Sequence, residues 1–73
     1  MKSDKTIDLR GLLCAMALAR AKKETDNSEG ILELIADSES VMDDVSLWAA
    51  NGGYEILETA EGKDFRIFIR KKK

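Results

Sequence analysis

Histidine and proline are missing altogether, and cysteine occurs once, at Cys14. Without His there is no Ser-His-Asp or Cys-His relay, no His-ligated haem and no His-containing zinc site. One Cys closes no disulfide within the chain and supplies too few thiolates for a Cys-rich zinc site or an iron–sulfur cluster. A lone Cys fits a reducing compartment. Aromatic residues make up 5 % of the chain, the pI is near 5.1, and basic and aromatic residues do not alternate. A dedicated nucleic-acid binder is therefore not expected. Long apolar runs are absent too. The longest, Leu12 to Ala19, has eight residues, against roughly 18 for a membrane-spanning helix. Asp4, Asp8 and Arg10 ahead of it argue against a signal peptide. The expectation is a cytoplasmic protein with no metal, no cofactor and no membrane contact. Zero proline is unusual, since average usage near 5 % would give about four in a chain this long.

What is present is strongly ordered along the chain. With 73 residues the expectation is one domain, 1–73, with one small core. The net charge of −2 hides a segregation: residues 1–23 carry +4, residues 24–62 carry −11 with no Lys or Arg, and residues 63–73 carry +5. The last of these includes a basic tail, 70–73. Such a pattern gives either a solvated surface whose ends attract its middle or a bipolar surface that docks a charged partner.

Hydrophobic periodicity predicts six elements. Thr6 to Leu9 alternates as a short strand, and Gly11 breaks it. Leu12 to Glu24 lacks β-branched residues and is rich in helix formers, with Leu13, Met16, Ala17 and Ala21 at helical spacing on one side. Asp26-Asn27-Ser28-Glu29-Gly30 reads as a turn. Ile31 to Ala36 reads as an inner strand. Ser40-Val41-Met42-Asp43 resembles a capping box for a second helix, whose stripe of Val41, Val45, Trp48 and Ala49 would be buried. Tyr54 to Thr59 and Phe65 to Arg70 alternate as a hairpin turned by Glu61-Gly62-Lys63-Asp64. The order β-α-β-α-β-β predicts an α/β two-layer sandwich, a four-stranded mixed sheet with two helices on one face. Phe68, between Arg66 and Arg70, points to the other face.

Cys14 is the one soft nucleophile, and it falls where a strand ends, a Gly turns the chain and a helix begins. A helix start presents free N–H groups and about half a positive charge. A thiol there is expected to be acidified below about 8.5, and the thiolate is the reactive form. Arg10 just upstream would add positive potential. The alternative is a small apolar residue packed on its helix. Trp48, Met16 and Met42 read as packing residues, and Asp43 and Asp44 as helix-start charges.

The stretches Asp8-Leu9-Arg10-Gly11-Leu12-Leu13-Cys14, Gly30 to Asp37, Asp44-Val45 with Trp48, Gly53 to Leu57 and Ile67 to Lys71 together resemble the TusA/SirA-like family of sulfur carriers. The resemblance covers roughly residues 5–71. It implies a β-α-β-α-β-β sandwich and a persulfide carried on Cys14. A cysteine desulfurase or rhodanese-type donor protein would load the sulfur and an acceptor protein would take it, for tRNA thiolation, cofactor synthesis or sulfur oxidation. Arg10, Gly11 and Ala15 would support the thiolate or persulfide, and Asp8 the loop. The protein would work as a monomer or weak homodimer. The family's Cys-Pro-x-Pro stands here as Cys14-Ala15-Met16-Ala17. Two of the missing prolines thus belong beside the nucleophile, and without them the helix is free to begin near Leu12 and bury the Cys. A non-catalytic adaptor that keeps the docking surface is the second expectation.

Overall fold

A computed structural model describes residues 3–27 and 29–71. Ser28 of the first turn and Lys72 and Lys73 of the tail lie outside the described residues. The elements are β1 (Lys5–Asp8), α1 (Cys14–Asp26), β2 (Leu32–Ala36), α2 (Glu39–Asn51), β3 (Tyr54–Glu61) and β4 (Phe65–Lys71). The sheet order is β1-β2-β4-β3. β1 runs parallel to β2, while β4 is antiparallel to both of its neighbours. β2 and β3 are therefore parallel, with β4 between them. Both crossovers, β1-α1-β2 and β2-α2-β3, move the same way across the sheet. The right-handed rule for such connections then puts both helices on one face.

The core forms between that face and the helices. Leu32, Leu34, Ala36, Ile67 and Ile69 of the inner strands are buried with Ile7, Leu9 and Tyr54. Alternation in β2 and β4 sends these side chains one way and Glu33, Phe68 and Arg66 the other. Each fully buried Leu or Ile contributes about 1.5–3 kcal/mol relative to exposure. α2 buries Val41, Met42, Val45 and Ala49, with Trp48 half-buried against Tyr54 at 5.0 Å between ring centroids. Tyr54 donates its hydroxyl proton to the buried Thr25 Oγ1 at 3.1 Å, and Thr25 donates to the Lys22 carbonyl at 3.0 Å. This chain fastens the end of α1 to the edge strand β3.

Three local expectations are corrected. α1 starts at Cys14, with Leu13 as its N-cap, and not near Leu12. α2 starts at Glu39 after Ser38, so Ser40 lies inside the helix and makes no capping box; Ser38 itself makes no side-chain cap bond. The buried stripe of α1 is Ala17, Ala21 and Thr25, with Cys14 and Leu18 packed against the core, whereas Leu13 and Met16 are 77 % and 61 % exposed. Ala17 and Ala21 are fully buried, and α1 packs closely against α2. Larger Leu13 and Met16 fall on the outside at the same spacing.

The helix-free face of the sheet is closed by its own side chains. Phe68 is 7 % exposed there and Glu33 is 9 % exposed. Across the strands Phe68 sits between Glu33 and Glu58, and along β4 between Arg66 and Arg70. Glu33 accepts from Thr6 Oγ1 and from Arg66 Nη1, both at 3.0 Å, and Arg70 Nη2 donates to Glu55 Oε1 at 2.6 Å. These pairs flank Phe68 on the same face of the sheet, with Glu33 nearly buried and Arg66, Arg70 and Glu55 exposed. The pairing register shifts between Ile56 and Glu58, a bulge in the edge strand β3.

Candidate functional site around Cys14

The loop from β1 to α1 ends on the nucleophile, and it is stapled at three points. Asp8 Oδ1 accepts from the Arg10 backbone N–H at 3.0 Å, which turns the chain immediately after the strand. Arg10 also grips the same carboxylate in fork geometry, Nε to Oδ1 and Nη2 to Oδ2, both at 2.9 Å, and reaches Asp64 of the β3–β4 turn at 3.3 Å. Gly11, at φ +81°, donates its N–H to Asp37 Oδ2 at 2.9 Å. The parallel register of β1 and β2, with Asp8 opposite Ile35, brings Asp37 alongside this loop. Leu9, just past β1, is fully buried and donates to the Ile35 carbonyl at 2.8 Å.

Cys14 is then the first helical residue. The first helical hydrogen bond runs from the Ala17 N–H to the Leu13 carbonyl at 2.8 Å. The N–H groups of Cys14, Ala15 and Met16 precede it and face the end of the helix, as at any helix start. The thiol is half-buried and lies in line with the buried stripe of α1, on the core side. Ala15 is exposed.

The electrostatics differ from the expected acidification. Asp44 of α2 pushes the Cys14 thiol above its ordinary value by accepting from it and by its charge; partial burial adds to this, and the Cys14 backbone N–H pulls in the opposite direction. A neighbouring carboxylate thus outweighs the helix terminus. Arg10 contributes its charge elsewhere. The Asp8 and Asp64 carboxylates raise the Arg10 guanidinium further, and Arg10 holds Asp8 at about 2. The structure therefore brings Asp8, Arg10 and Gly11 together as a braced loop and places Cys14 and Ala15 at the helix start beyond it. Three residues were missed as parts of the site. Asp37 and Asp64 brace the loop, and Asp44 faces the thiol. The parallel pairing of β1 and β2 is the one signal that could have located Asp37; Asp44 and Asp64 come in through tertiary packing alone. Among the described residues no group of acidic or thiol side chains is arranged to hold a metal ion, and no helix is long and apolar enough to cross a membrane.

An α/β sandwich with one cysteine at a strand-to-helix turn is the architecture of a known class of small sulfur-handling proteins, and the chain belongs to it. The family model for the sulfurtransferase TusA matches residues 5–71. Over 74 aligned positions the chain is 39 % identical to the candidate sulfur carrier YrkI of Bacillus subtilis (strain 168), covering 97 % of this chain and 99 % of that one. It is 35 % identical to a candidate sulfur carrier of Halobacterium salinarum over 93 % of this chain and 89 % of the relative. A second Bacillus subtilis relative, the candidate sulfur carrier YrkF, is also 35 % identical across 97 % of this chain, which spans 40 % of YrkF. The crystal structure of a SirA-like protein from Desulfitobacterium hafniense superposes with a TM-score of 0.81 over 94 % of this chain and 99 % of that one, at 23 % identity. The last likeness shows that the fold is shared.

Proposed function

We propose that this protein is a sulfur carrier whose cargo is a persulfide on Cys14. The observation that carries the reading is the half-buried, partly accessible Cys14 at the first position of α1, in a chain that belongs to a sulfurtransferase family over nearly its whole length. In loading, the Cys14 thiolate attacks the terminal sulfur of a donor protein's persulfide. A new S–S bond forms on Cys14, the donor's S–S bond breaks, and the donor cysteine leaves as a thiolate that takes up a proton. No net oxidation occurs. Delivery repeats the exchange, with Cys14 as the leaving group. The Cys14 backbone N–H favours the anionic sulfur, while Asp8, Arg10 and Gly11 hold the loop that presents it. A cysteine desulfurase or a rhodanese-type protein has the chemistry of the donor; tRNA thiolation and cofactor synthesis are the acceptor chemistries this carriage suits, in the cytoplasm.

Incubation with a purified cysteine desulfurase and free cysteine, followed by intact mass measurement, tests it. The expected product is heavier by one sulfur atom and absent in Cys14→Ser. No such species, or one that persists in Cys14→Ser, overturns the proposal.

A second reading is favoured by one observation. The Asp44 carboxylate raises the thiol above its ordinary value, which suits an adaptor that docks partners without passing sulfur. A thiol alkylated no faster than free cysteine, together with no sulfur loading, supports the adaptor.

A further inference from the structure

Nothing within α1 marks where the helix should start. Its N-cap, Leu13, makes no side-chain cap bond. Alanines stand at positions 15 and 17, where the family has prolines, and Leu12 to Ala19 is an unbroken apolar run rich in helix formers. The helix nevertheless begins at Cys14. Just upstream, Leu13 is extended at φ −72° and ψ 156°, and Gly11 is left-handed at φ +81°. Gly11 does not keep that conformation unaided. Glycine takes positive and negative φ about equally well, and a Cβ placed there would meet nothing within 4 Å. What restrains it is the bond from its N–H to Asp37 Oδ2 at 2.9 Å, of the charge-assisted kind.

Asp37 lies in the short link between β2 and α2, so it grips the turn from a separate segment of the chain. The contacts of Asp8 with Arg10 and of Arg10 with Asp64 lie before Gly11 and shape the exit from β1. Drawing residues 11–13 into α1 would shorten the connection, since a helix rises 1.5 Å per residue against about 3.3 Å in extended chain. Both ends are anchored. Leu9 is fully buried and bonded to the Ile35 carbonyl, and Ala17 is fully buried in α1. The movement would fall on the turn at Gly11, which is where Asp37 holds.

We propose that Asp37 is the positioning residue for Cys14: by fixing the left-handed turn at Gly11 it keeps α1 from starting upstream of the sulfur, in a chain that has no proline to do so. Its bearing on sulfur transfer rests on the carrier reading. Were α1 to begin at Gly11, the Cys14 N–H would donate to the Arg10 carbonyl four residues back, and the helix terminus would move roughly 4.5 Å from the sulfur. The anionic sulfur would then lose the favourable field of the first turn.

The test needs no sulfur transfer. Amide exchange, read residue by residue by NMR, reports whether the Cys14 N–H has an acceptor. In Asp37→Ala that exchange should slow by about threefold or more, whereas a simple loss of stability would speed it. Alkylation of Cys14 by iodoacetamide at pH 7 should fall about twofold or more, within the range a helix terminus contributes. Asp37→Asn removes the charge but keeps an acceptor oxygen for Gly11, so it should match the native chain in exchange. Adding Ala15→Pro to Asp37→Ala should restore fast exchange at Cys14, because a proline there has no N–H for the Gly11 carbonyl and its ring blocks the longer helix. Where Asp37→Ala fails to fold, Gly11→Ala carries the same test, since alanine disfavours positive φ and favours helix. Unchanged or faster exchange at Cys14 in Asp37→Ala and Gly11→Ala overturns the proposal. So does an equal effect of Asp37→Asn, or slowed exchange that Ala15→Pro does not relieve. Each of these leaves the carrier reading standing, and failure of the mass-shift experiment leaves the role of Asp37 in the helix start standing.

Discussion

Asp44 pushes the Cys14 thiol above its ordinary value. A thiol with an ordinary value of 9.0 is about 1 % thiolate at pH 7, and a raised value leaves less. Alkylation by iodoacetamide followed against pH should therefore show a midpoint above 9.0 in the native chain. Asp44→Asn should move that midpoint down and raise the rate at pH 7. An identical profile in the variant would remove Asp44 from the account. The sign of the linked stability follows. The folded thiol holds its proton more tightly than the unfolded one, so this pair favours the folded state below about pH 9, and that contribution is lost as pH rises through the folded value. The position of Cys14 at a helix start was legible in the sequence, because Gly11 and the change of periodicity mark it. The direction of its shift was not, because Asp44 is thirty residues away and only the packing of α2 beside α1 brings the two together.

At the scale of the element, α1 shows what two alanines do in place of two prolines. Ala15 has no intrahelical acceptor for its N–H, since the first bond is Ala17 to Leu13. Ala15→Pro should be accepted and should stabilise by about 0.4–1 kcal/mol through the unfolded chain. Ala17→Pro removes that first bond and puts its ring against the Leu13 carbonyl, at a fully buried position. It should destabilise by at least ~1 kcal/mol. Urea midpoints of the two variants check the contrast, and equal midpoints would show that the helix restarts at a different residue. The sequence announced the helix but not its rotation. From Leu12 to Ala19 every residue is apolar, so periodicity had no polar face to set against a buried one. Side-chain size made the choice, and Leu13 and Met16 went outward.

For the molecule as a whole, the element order and the layering were readable from alternation and turns, whereas strand order was not. Inner strands are the most continuously apolar, which fits β2, but β4 carries Arg66 and Arg70 and resembles an edge strand. It is central because those arginines have partners in Glu33 and Glu55 on its two neighbours. Phe68 is the apolar centre of that layer. Phe68→Ala should cost about 3 kcal/mol, as for a core aromatic, although no helix covers it. Thermal or urea unfolding measures this, and a loss under about 0.5 kcal/mol would mean that the charged layer holds the face closed unaided.

The place of β4 between β2 and β3 has a consequence for the order in which the protein can be made. Synthesis delivers β2 and β3 before the strand that joins them, and neither can pair with the other across the gap. Until β4 emerges, the β2–α2–β3 stretch has a helix and two strands but no continuous sheet to pack against, and the inner edge of β2 stays open. The final strand is thus the keystone. Folding should behave as a single late event, set by the arrival of Phe65 to Lys71, and a shortened chain that keeps Cys14 and both helices but lacks β4 has only the parallel β1–β2 pair to carry them.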